Sequence, residues 1–175
     1  MGSVDKGLML LQGRPLVAHV VERLRPQVAT LLINANRNLD AYRSLGHAVV
    51  PDRIDGFAGP LAGLDTGLSA ADAMLLVTAP CDSPFLPSDM VARLAAARDA
   101  EDADAAVVCI GGRLQPVFAL VHTRVRPLLT DFLQAGGRKA EDFYATLHSV
   151  EVAFDDQPQA FVNLNTRAEL EQYER

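Results

Sequence analysis

Cysteine is scarce in this sequence: the 175 residues hold two, Cys81 and Cys109, and neither sits in a CxxC pair or beside a histidine. That excludes a disulfide framework and a thiolate metal centre, and reduced thiols in the cytoplasm are expected. Long apolar runs are also missing, with mean hydropathy only +0.10, so no segment reads as a membrane span. Met1 to Lys6 lacks a basic start followed by an apolar stretch, so no secretory leader is expected. Positive charge is in deficit, with a formal net charge of −6. A nucleic-acid partner, which calls for a basic face, is not expected. One polyanionic ligand still fits, because a few local cations dominate a pocket. His19, His47, His122 and His148 are scattered without metal-ligand spacing and read as structural or surface residues. Neither a P-loop nor a Gly-x-Ser-x-Gly elbow is present.

What is present is an apolar fraction of 49%, enough for a substantial core, with no linker, repeat or low-complexity tract. A single domain over residues 1–175 follows. Pro15 opens a helix to about Arg25, striped by Leu16, Val17, Val20, Val21 and Leu24. Val28–Ile33 reads as a buried strand, followed by a short helix from Leu39 to Ser44 and a strand from His47 to Val50. Pro51–Pro60 is a loop, Leu61–Ala71 a helix and Met74–Thr78 another buried strand. Pro87 starts the helix that carries Met90, Val91 and Leu94. Continuous apolar strands separated by helices predict an α/β fold, a mostly parallel sheet with helices on both faces. In the second half, Ala105–Ile110 and Val117–Val121 flank Gly111-Gly112 as a hairpin joining the sheet. Helices follow at Val125–Ala135 and Ala140–Leu147, with short strands at Val150–Phe154 and Ala160–Val162. Thr166 to Glu169 has capping-box spacing for a last helix.

Ligands of open α/β sheets sit beyond the carboxyl ends of the strands, and four acidic or amide residues occupy such places. Asp82, in Ala79-Pro-Cys-Asp-Ser-Pro84, follows a buried strand. It suits Mg²⁺, which takes oxygen ligands and pairs a carboxylate with substrate phosphates; a turn or helix-cap aspartate suits the position equally. Asp52 stands in the matching place after Val49-Val50, where it suits ribose hydroxyls, the N–H edge of a guanine, or a solvated turn. Asn34 and Asn36 end the strand before that, as base-edge ligands or helix caps. Gly59-Pro-Leu-Ala-Gly63 enters a helix whose N-terminus suits a phosphate or base, though it also serves as a plain turn. Lys6, in Asp5-Lys6-Gly7, is a compact cation suited to a triphosphate, or an ordinary exposed lysine. Met1–Gly13 resembles a loop after a strand, yet no strand precedes it: either it is a plain tail or an anchoring strand has been lost.

Seven segments recur in register: Met1-Gly-Ser-Val-Asp-Lys-Gly7, Asn34-Ala-Asn-Arg37, Pro51-Asp52, Gly59-Pro-Leu-Ala-Gly63, Pro80-Cys-Asp-Ser-Pro84, Gln115-Pro116 and Val162-Asn-Leu-Asn-Thr166. Their order and spacing resemble the molybdenum cofactor guanylyltransferases, the bacterial molybdopterin-guanine dinucleotide synthases, over nearly the whole chain. The resemblance implies a Rossmann-like nucleotidyltransferase fold in the cytoplasm. It also implies Mg²⁺-dependent transfer of GMP from GTP to molybdenum-bound molybdopterin, with release of pyrophosphate. By the same resemblance Lys6, Asn34, Asp52 and Asp82 bind GTP, and Asp82 also binds the metal. Asn163 and Asn165 face the molybdopterin, with Arg138 and Lys139 on the pterin side. Chaperones or other cofactor-assembly proteins are implied partners. A cytidylyltransferase acting on the same pterin, or a non-catalytic molybdopterin-binding relative, are the competing readings. Asn34-Ala-Asn-Arg37 and Gly59-Pro-Leu-Ala-Gly63 favour guanine. Family members begin with an apolar strand and a Leu-Ala-Gly-Gly loop carrying a basic residue, and this chain enters at the end of that loop. The domain is therefore expected to be N-terminally incomplete, through a mis-set start codon.

Overall fold

The structure, a computed structural model, describes residues 5–53 and 59–173. Met1 to Val4 of the first motif and residues 54–58 of the Pro51–Pro60 loop lie outside the described residues.

A single 3₁₀ turn, Lys6–Leu8, leads into a tight hairpin of β1 (Leu10–Leu11) and β2 (Arg14–Pro15). Gln12 and Gly13 at its tip both have positive φ, as a two-residue hairpin loop demands. Helix α1 (Leu16–Leu24) follows, then β3 (Leu32–Asn34), α2 (Leu39–Arg43) and β4 (Ala48–Val50). β3 pairs with β4 in parallel, Asn34 opposite Val50. Next come α3 (Pro60–Ala70), β5 (Leu75–Thr78), α4 (Met90–Glu101), β6 (Ala105–Ile110) and β7 (Arg113–His122). The chain ends with α5 (Arg126–Gln134), α6 (Ala140–Tyr144), β8 (Ser149–Ala153) and α7 (Arg167–Tyr173).

The second sheet runs β5-β7-β6-β8. The α/β class stands, but this sheet is mixed: β7 is antiparallel to both β5 and β6, while β8 is parallel to β6. The reason is local. Gly111 and Gly112, both at positive φ, return the chain as a hairpin, and a hairpin makes antiparallel neighbours. Its ladder shifts register opposite Pro116, which has no N–H to give. Ala160–Val162, expected as a strand, is instead the tail of a 3₁₀ turn over Pro158–Phe161. The Phe161 ring packs edge-on against Phe118 and Phe154 there, so packing overrides its strand propensity.

β6 shows why both faces are covered. Ala105 and Val107 join α3, α5 and α6 through Leu64, Leu129 and Phe143. Ala106 and Val108 point the other way, to Val20 of α1, Met90 and Leu94 of α4, and Phe154. That period of two is the pleat of a strand buried on both sides. Each fully buried large side chain here contributes about 1.5–3 kcal/mol.

β3 and β5 have a different relation. Both share core clusters with α1, Val17 and Val21 with Ile33 and Leu31, and Val20 and Leu24 with Leu75 and Val77. Both also meet α3 on the other face, through Gly63 beside Asn34 and Gly67 beside Leu76. Yet among the described residues no ladder joins the two strands. All four residues of β5 are only half-buried, although helices cover both sides.

Candidate functional site

Three chain segments converge on Asp82. β5 ends at Thr78, and Ala79-Pro80-Cys81 carries the chain over its carboxyl end, so Asp82 emerges where ligands of such sheets bind. The C-terminal segment docks there. The Leu164 N–H donates to the Asp82 carbonyl at 2.8 Å, and the Ser83 hydroxyl donates to Asn163 Oδ1 at 2.5 Å. Lys6 reaches the same place, its ammonium donating to Asn165 Oδ1. Asn165 is itself held, since its N–H and that of Thr166 donate to Glu169 at 2.6 and 2.9 Å. Glu169 N–H returns a bond to the Thr166 hydroxyl, completing the expected capping box.

The Asp82 side chain is 7% exposed, and its Oδ1 has no hydrogen-bond partner among the described residues. Burial pushes its carboxyl above the ordinary carboxylate range, and the Lys6 charge pulls it part of the way back. A buried, unpartnered carboxylate oxygen is costly unless a ligand compensates it. Its neighbour Cys81 is no nucleophile, because burial above all raises that thiol to about 11.

A second group forms at the ends of β3 and β4, whose parallel register sets Asn34 beside Val50. Asn34 Nδ2 donates to Asp52 Oδ1 at 2.9 Å and to the Val50 carbonyl at 3.1 Å. Asn36 is reciprocal with Asp52: its amide donates to Oδ2 at 2.7 Å and accepts from the Asp52 N–H at 2.7 Å. Both amides therefore act on Asp52 first. They fix its carboxylate, and the residue is half-buried. The start of α3 closes on this group so tightly that a Cβ on Gly63 would stand 2.8 Å from Asn34 Oδ1. Beyond it, Thr66 Oγ1 accepts from the Arg53 N–H at 3.2 Å.

The turn at residues 5–8 lies between the two groups. A Cβ on Gly7 would meet Tyr42 Oη at 2.6 Å and Cys81 Sγ at 2.9 Å, so only glycine lets the turn wedge between α2 and the Asp82 loop. Lys6, Asp82, Asn163 and Asn165 are thus brought together, and Asn34, Asn36 and Asp52 form their own group. Arg138 donates to the Leu133 and Gly137 carbonyls at the end of α5. Sequence reasoning missed Ser83, Asn38, Tyr42 and the carboxylate of Asp5. Ser83 and Asp5 lay inside the recurring segments, and that adjacency was the available signal.

Residues 1–151 match the family described as "MobA-like NTP transferase domain". The chain is 48% identical over 172 residues to the molybdenum cofactor guanylyltransferase of Shewanella halifaxensis, covering 98% of this chain and 86% of that protein. It is 45% identical to the Shewanella loihica protein of the same name, covering 98% and 88%. Among solved structures, molybdopterin-guanine dinucleotide biosynthesis protein A from Archaeoglobus fulgidus superposes with a TM-score of 0.79 at 21% identity, over 98% of this chain and 89% of that one. The 2-C-methyl-D-erythritol 4-phosphate cytidylyltransferase of Thermus thermophilus superposes with a TM-score of 0.72 at 18% identity, covering 97% and 92%. At that identity it speaks for the fold alone.

Proposed function

The chain belongs to the molybdenum cofactor guanylyltransferase family, and from that premise we propose how its residues carry GMP from GTP to molybdenum-bound molybdopterin. The products are the guanine dinucleotide cofactor and pyrophosphate. The single observation that carries the assignment of residues is the buried Asp82 oxygen without a partner among the described residues, beside Lys6 at the end of a core strand.

That oxygen suits Mg²⁺. Among the described residues no three His, Cys, Asp or Glu side chains cluster as a metal cage. A single carboxylate, completed by substrate phosphates and water, is the usual protein share for this ion. Mg²⁺ bound there would neutralise phosphate charge and orient the α-phosphate. Lys6 sits on the leaving-group side. As a terminal phosphate oxygen of molybdopterin attacks the α-phosphorus, the bond to the bridging oxygen breaks and pyrophosphate departs with that electron pair. The Lys6 ammonium, steadied by Asn165, meets the charge that builds on it. Asn163, anchored by Ser83, offers its amide N–H groups to the molybdopterin side. Asp52, fixed by Asn34 and Asn36, accepts from the guanine edge or the ribose. Reactions of this kind depend on positioning and electrostatics rather than on a covalent intermediate. A neutral Cys81 thiol is consistent with that.

Turnover with GTP and not with CTP tests the reaction. Asp52→Ala tests the guanosine assignment: it should weaken GTP binding by about 1–3 kcal/mol, the cost of stranding a polar group. Inorganic triphosphate should bind the variant as it binds the parent, measured by titration calorimetry. Equal losses for the two ligands would remove Asp52 from the guanosine side.

A further inference from the structure

Asp5 stands next to Lys6, and its side chain, 13% exposed, has no part in the chemistry above. Its oxygens are nevertheless occupied. Oδ1 accepts from the Tyr42 hydroxyl at 2.6 Å. Oδ2 accepts from Asn38 Nδ2 at 2.9 Å and lies 3.5 Å from Arg37 Nε. All three partners come from residues 37–42, the continuation of the segment whose Asn34 and Asn36 hold Asp52. The Asp5 carbonyl, for its part, accepts from Leu8 N–H at 3.1 Å and closes the turn that presents Lys6.

Asn38 is turned to Asp5 rather than to its own helix. Asn38 occupies the N-cap of α2, where an asparagine side chain ordinarily accepts from the first helical N–H groups. It makes no such bond, and its backbone is left-handed, at φ 51° and ψ 34°. Asparagine is among the few residues besides glycine that tolerate that conformation. Its amide is turned to Asp5 instead. Tyr42 is buried, and burial together with the bond to Asp5 holds its hydroxyl protonated, as a donor.

The geometry points to Asp5 as a positioning residue that locks the Lys6 turn to the segment holding Asp52, so that the phosphate and guanosine ends of one GTP are read at a fixed separation. The inference rests on the assignment of Lys6 to the phosphates and Asp52 to guanosine. Asparagine at position 5 keeps the shape but loses one acceptor, turning an N–H donor toward a neighbouring donor. Phenylalanine at position 42 removes one bond and little else.

The test uses the full chain as Asp5→Asn, Tyr42→Phe, Lys6→Ala and the Asp5→Asn/Lys6→Ala pair. Asp5→Asn should lower kcat for GMP transfer by about 10- to 100-fold, the scale of a catalytic group displaced by an ångström or so. KM for molybdopterin should hardly move. Tyr42→Phe should shift kcat the same way by less. The double variant should transfer no more slowly than Lys6→Ala alone, because Asp5 acts through Lys6. Guanosine should bind Asp5→Asn as it binds the parent. Additive losses in the double variant, or weakened guanosine binding, would make Asp5 a structural residue only. Normal transfer by Asp5→Asn beside an inactive Lys6→Ala would sink the positioning role alone. Normal transfer by Lys6→Ala would sink the Lys6 assignment and the inference with it.

Discussion

Asp82→Asn should cut GMP transfer by about 10²-fold or more, the scale observed when one electrostatic stabiliser is removed from a transition state, while leaving the fold intact or firmer. The two halves of that expectation have one cause. The carboxyl is buried, and burial raises its titration above the ordinary range despite Lys6 nearby. In the folded chain it therefore takes up a proton more readily than in the unfolded chain. The stability it contributes is fully present below its unfolded pKa, about 4, and is lost as pH rises through the higher folded value. At neutral pH the charged form is a liability that a bound cation would relieve. Asparagine is neutral throughout, so its Tm in metal-free buffer should match or exceed that of the parent and vary less with pH above about 4. Addition of Mg²⁺ with GTP should raise the parent's Tm by linkage and leave the variant's almost unchanged. Near-normal transfer by the variant at saturating Mg²⁺ would end the assignment.

Filling the space between β3 and β5 should produce the largest change in stability. The two strands share covering helices on both faces, yet among the described residues no ladder joins them. Among the described residues each has a strand partner on one edge only, β4 for β3 and β7 for β5, and folded sheets ordinarily pair or cover such edges. The turn at Gly7 is wedged between Tyr42 and Cys81, just past the carboxyl end of β5. We propose that an extended apolar segment completes the sheet there and that its following loop adds backbone donors for the GTP phosphates. A strand of about six residues, joined through a Gly-rich loop ahead of Met1, would test it. Its buried side chains contribute about 1.5–3 kcal/mol each, set against roughly 1–2 kcal/mol of backbone entropy per residue. A net gain of only about 3 kcal/mol would raise Tm by about 6–12 °C in a chain of this size. Amide exchange at Leu32–Asn34 and Leu75–Thr78 should slow together, and Mg²⁺-dependent GTP binding should strengthen in parallel. A polar segment of equal length is the control. If the apolar segment leaves the protection of both strands unchanged, the space does not receive a strand.

The sequence by itself determined the element types and the faces they bury. Leu16, Val17 and Val20 announced α1 by their helical spacing. The unbroken apolar run Ala105–Ile110 announced a strand buried on both sides. Thr166 and Glu169 announced the last cap, and the rule that ligands sit beyond strand ends picked out Asp82 and Asp52. Such signals are legible because they depend on neighbours a few positions apart. The tertiary structure alone decided the rest. Val28–Leu31 reads as strand, yet β3 is only Leu32–Asn34, since a ladder needs a partner and only β4 supplies one. Phe161 went to a 3₁₀ turn because Phe118 and Phe154 were waiting for its ring. Asn34 donates to Asp52, 18 positions away, and Asp5 is tied to Tyr42, 37 positions away. Lys6 meets Asn165 across 159 positions. No local pattern encodes a partner at that distance: which side chains meet follows from strand order and from the helices that return the chain across the sheet.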